Sequence, residues 1–70
     1  METTTLSPEV PKFVAEVLYD HFREAARTGN PAELTRLRLL VLDFSYRFEK
    51  LVPRFVPGRF YHDIYERRAV

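Results

Sequence analysis

Residues 28–33 read Thr28-Gly29-Asn30-Pro31-Ala32-Glu33, and this stretch decides the fold. Glycine takes the left-handed conformation that closes a helix at little cost. Asparagine caps the next helix, proline suits its first position, and an acid at the third completes a capping box. A stop followed at once by a start leaves no room for a wandering connection. The flanking helices must fold back as a tight antiparallel hairpin.

Upstream, about residues 11–28 form the first helix. Val10, Val14, Val17, Leu18, His21, Phe22 and Ala25 fall on one arc at 3.6 residues per turn. Ser7-Pro8-Glu9 offers a cap, an N-terminal proline and an early acid, but Pro11 argues for an irregular start. Residues 1–6 are polar, rich in threonine and without periodicity, so they read as a flexible tail. Residues 7–70 form a single small helical domain.

Downstream, about residues 31–52 form the second helix. Its main stripe is Leu34, Leu37, Leu40, Val41, Phe44, Phe48, Leu51 and Val52, and this stripe faces the first helix. A second apolar stripe holds Leu39, Leu42 and Tyr46. A helix apolar on two sides needs two partners. Pro53-Arg54-Phe55-Val56-Pro57-Gly58 is a linker, because each X-Pro pair favours extended backbone. Phe55 and Val56 are expected to tuck against the hairpin. About residues 59–68 then form a short helix with Phe60, Tyr61, Ile64 and Tyr65 on one side. The expected fold is all-α: a long helical hairpin, a proline-rich linker and a third helix that lays these four residues on Leu39, Leu42 and Tyr46. Should the third helix lie elsewhere, that stripe becomes a seam between two copies.

Composition narrows the chemistry. The chain has 70 residues, no cysteine and two glycines. Cysteine nucleophiles, zinc knuckles and Gly-rich phosphate loops are therefore excluded. At 46% hydrophobic and 14% aromatic it is too apolar for a disordered chain. The N-terminus has neither a basic region nor an apolar run, and no apolar segment approaches the about 20 residues of a membrane span. The expectation is a cytoplasmic protein with no membrane partner. The net charge of +1 hides an asymmetry: residues 1–33 hold six acids and three bases, residues 34–70 eight bases and four acids.

Each polar cluster has a plain structural reading. His21, beside Asp20 and Glu24, reads as a core or interface histidine. His62 and Glu66 share a helix face but supply only two metal ligands, and no Glu-x-x-His pair occurs. Ser7 reads as a cap, and Ser45 as a small residue allowing close helix approach. No catalytic, metal or cofactor site is expected, and no enzyme. Arg47, Lys50, Arg54, Arg59, Arg67 and Arg68 interleave with aromatics and form a candidate contact for nucleic acid or an acidic partner. A sequence pI near 8.1 is lower than dedicated binders show. A helix-turn-helix reader fits poorly, because its second helix is short and basic on its outer face.

The expected role is a non-catalytic interaction module, such as a small adaptor, inhibitor or assembly subunit. It would form a homodimer or bind another protein through Leu39, Leu42, Tyr46, Phe60, Tyr61 and Tyr65, because so short a chain has more apolar surface than it can bury. The alternative is a nucleic-acid-binding regulator acting through the basic C-terminal half.

Overall fold

The computed structural model describes residues 5–66. Three helices follow in order: α1 (Glu9–Thr28), α2 (Pro31–Leu51) and α3 (Pro57–Tyr65). The hairpin turn forms as its residues dictate. Gly29 sits at φ 66°, in the left-handed region. Its N–H donates to the Ala26 carbonyl at 3.2 Å, and the Asn30 N–H donates to Ala25 at 3.1 Å, the bond pair of a Schellman stop. The Asn30 side chain accepts from the Glu33 N–H at 3.1 Å. Only this half of the expected capping box forms, because the Asn30 N–H is already committed to Ala25.

The start of α1 corrects the expected boundary. Pro8, not Ser7, is the N-cap residue; Ser7 precedes it, its Oγ accepting from the Glu9 N–H at 3.1 Å and its carbonyl from the Val10 N–H at 3.0 Å. With Glu9 as the first helical residue, Pro11 falls third. The first N–H groups of a helix have no intrahelical partner, so the proline removes nothing. Leu6, expected in the N-terminal tail, is held to the fold. Leu6 donates its N–H to the Leu51 carbonyl at 2.8 Å and packs on the core; residues 1–4 lie outside the described residues.

Helix α3 begins two residues sooner than expected, because Pro57 suits a first helical position. It ends at Tyr65, where Glu66 leaves helical backbone at φ −119°, ψ 11°. Residues 67 and 68, expected in this helix, lie outside the described residues. In the linker Phe55 packs against the core, as expected, but Val56 is exposed. Arg54 adopts φ 60°, a left-handed conformation rare for a side chain larger than asparagine.

All three helices build one core. Ala15, Leu18 and Ala25 enter from α1, Leu37, Val41 and Phe48 from α2, and Phe60 and Ile64 from α3, with Val52 closing the end. The buried arc of α1 is rotated from the expected one. Pro11 and Ala15 lie inside it, while Val17 and His21 are exposed at its edge. Leu40, assigned to the main stripe of α2, is also exposed. Helix α1 has to face both α2 and α3, and small residues on its buried side admit the larger side chains of both.

The largest departure concerns α3. It packs chiefly on α1, and it does not cover Leu39, Leu42 and Tyr46. Phe60 and Ile64 enter the core instead, and the Tyr65 ring stands edge-on to Phe22 of α1 at 5.2 Å. At about 1.5 Å per residue, nine residues of α3 span less than half the length of the 21-residue α2. Much of the hairpin surface is therefore left without a cover from this chain.

Candidate interaction surfaces

The six expected interface residues fall into three groups. Leu39, Leu42 and Tyr46 are 63%, 58% and 59% exposed, on the side of α2 turned away from Leu37, Val41 and Phe48. Tyr61 and Tyr65 form a half-covered edge on α3. The Tyr61 hydroxyl donates to Ser45 Oγ at 3.2 Å, so Ser45 is buried with its hydrogen bond satisfied. Phe60, expected at the interface, is buried in the core: its ring packs edge-on against Phe48 at 5.5 Å and Phe55 at 5.7 Å.

Burial in the α1–α3 contact raises the Tyr65 phenol above its ordinary value of 10.0, because the phenolate would be desolvated. Arg38 opposes the shift and Tyr61 adds to it. The sign for stability follows. Below about pH 10 both states hold the proton; above it the unfolded chain ionises first, so stability falls as pH rises through the raised folded value. Tyr65→Phe keeps the ring against Phe22 and should remove this alkaline loss. Phenolate absorbance against pH, with denaturant melts of both proteins, checks it; equal alkaline losses would refute the assignment.

Among the described residues, the basic side chains of the candidate contact stand in different settings. Arg47 donates to Asp43 at 3.0 Å. Lys50 donates to the Tyr46 hydroxyl at 2.8 Å and lies 4.3 Å from the centre of that ring. The side chains of Arg54 and Arg59 form no hydrogen bond or ion pair among the described residues. Arg67 and Arg68 lie outside those residues. Of the aromatics interleaved with these cations, Phe55 and Phe60 are engaged in the core cluster, which removes them as platforms for stacked bases.

His21 is exposed, which corrects the core half of the expected core-or-interface position. His62 lies 3.8 Å from Asp63 on an exposed face. Among the described residues no group of three or more His, Asp or Glu side chains is placed to hold a metal ion, and no helix is long and apolar enough to cross a membrane.

One feature escaped the sequence reading. A solvent-open pocket of about 260 Å³ lies where the N-terminus of α1, the linker and the first turns of α3 converge. Pro8, Pro11, Val52, Phe55, Val56 and Phe60 make its apolar lining; Lys12, Arg54, Arg59 and Asp63 supply the charge. The sequence signal was the pair of prolines around Arg54, read only as a linker. Among known proteins the chain matches no family model, no curated protein and no solved structure.

Proposed function

We propose that this chain is a small non-catalytic interaction module that self-associates through the outer face of α2. The observation that carries the reading is the unpartnered stripe of Leu39, Leu42 and Tyr46. Spacings of three and four residues align them along two turns of one helix, the geometry of a helix-to-helix seam. The Asp43–Arg47 pair and Lys50 give the stripe a charged border, matching the apolar centre and polar rim of protein interfaces. A twofold axis would lay the stripe of one copy on that of the next.

Sedimentation equilibrium at tens of micromolar tests this. The expected mass is twice the 8.3 kDa of the chain. Leu42→Asp and Tyr46→Ala should each return it to the single-chain value with helical circular dichroism unchanged. A monomeric wild type sinks self-association, and dimeric variants sink the surface.

The unpaired Arg54 and Arg59 support a second reading, a nucleic-acid-binding regulator. It requires binding in a mobility shift that falls steeply with salt and is lost when both arginines are reversed in charge. Binding indifferent to salt counts against it.

A further inference from the structure

We infer that the pocket between the α1 N-terminus, the linker and α3 is a binding site for a small organic acid with an apolar body and one carboxylate. The two halves of its lining point to the two halves of such a ligand. Pro8, Pro11 and Val56 offer apolar surface beside the rings of Phe55 and Phe60. Around it stand three cations and one acid, so the rim carries an excess of positive charge. Lys12 has only a loose, exposed pairing with Glu9 at 3.8 Å. Arg54 and Arg59 have no partner among the described residues. A carboxylate would give both guanidinium groups the charge-assisted bonds they lack.

The backbone of Arg54 is an independent observation. Its φ of 60° is the left-handed region, which a side chain disfavours and glycine does not. Strain of this kind collects at ligand sites. A glycine here would fold more easily but would lack the guanidinium.

Size selects the kind of acid. The cavity of about 260 Å³ lies just under the about 300–1,000 Å³ of pockets for drug-sized molecules. It suits a single ring or branched alkyl group with its carboxylate, not a peptide main chain. The site shares no residue with the Leu39–Leu42–Tyr46 stripe, so it stands or falls apart from self-association.

The test is a titration followed by backbone amide NMR, with three probes: 3-phenylpropanoate, its neutral amide, and an acetylated Gly-Gly-Phe peptide with a free C-terminal carboxylate. The proposal expects the free acid to saturate in the millimolar range and to shift the amides of Lys12, Arg54, Phe55 and Arg59. The neutral amide should bind at least about tenfold more weakly, the loss of a charge-assisted anchor. Arg54→Gly should melt at a higher temperature than wild type and lose acid binding. Leu42→Asp, which addresses the stripe alone, should bind as wild type does. Equal binding of acid and amide, shifts confined elsewhere, or no saturable shift overturns the proposal. So does binding of the peptide but not the free acid, which would make the pocket a peptide dock. An Arg54→Gly protein that binds undiminished removes Arg54 from the site and overturns it as well.

Discussion

Phe48→Ala should leave this protein largely unfolded at room temperature, whereas Phe48→Leu should stay folded. Phe48 is the ring on which separate parts of the chain meet. It stacks on Phe44 of its own helix at 5.6 Å, meets Phe55 of the linker at 5.6 Å and stands edge-on to Phe60 of α3 at 5.5 Å. It is buried. Replacing a core phenylalanine by alanine costs about 3–5 kcal/mol through lost transfer energy and the cavity left behind. Chains below about 70–80 residues rarely hold more than about 3–5 kcal/mol from a single core. The loss therefore equals the whole margin. Leucine refills most of the space, and swaps of similar volume usually cost less than about 1.5 kcal/mol. Urea denaturation followed by helical circular dichroism separates the two variants. Self-association would add concentration-dependent stability, so the comparison belongs at one low protein concentration. Phe48→Ala melting within a few degrees of wild type would show that the aromatic cluster carries little of the fold.

What was legible in the sequence was the chemistry of neighbours along the chain. Gly29, Asn30 and Pro31 each act within one turn, and the hairpin forms where they place it. Burial that depends on a partner across space was harder to read. The arc that included Val17 and His21 looked apolar enough to face α2, yet Pro11 and Ala15 go inside, because α1 must also receive α3. Leu39, Leu42 and Tyr46 looked like the natural seat of α3. Its spacing lets Phe60 and Ile64 pack between the hairpin's helices, where both become buried, while the outer face of α2 offers no such enclosure. Charge along the sequence does not show local pairing: Arg47 is paired with Asp43 one turn away. Arg54 could not be read at all, because its left-handed backbone suggests glycine and its side chain does not. The candidate pocket stayed hidden with it, since its lining comes from three elements far apart in sequence.

Ile64→Ala should release α3 from a hairpin that stays helical. Helix α3 has nine residues and no side-chain cap at its N-terminus. Isolated helices shorter than about 12–15 residues are marginal in water, so α3 exists because it is docked. Ile64 is 2% exposed and, with Val41, among the most completely enclosed large side chains. Truncating a buried isoleucine to alanine costs about 2–5 kcal/mol, and nine residues bring few other anchors to set against that. The contacts of α1 with α2 through Leu18, Leu37 and Val41 are not touched directly. Hydrogen exchange should show the α3 amides unprotected while those in the middle of α1 and α2 stay slow. Tyr65 reports the same event from the surface. Once α3 leaves, Phe22 no longer covers its ring, and the phenol should titrate at its ordinary value instead of above it. Val41→Ala serves as the contrast, because Val41 lies in α2 itself and its truncation should weaken all three helices together. If Ile64→Ala instead strips protection from α1 and α2 at the same moment as from α3, the hairpin is not an independent unit. The short helix would then be what holds the long ones in place.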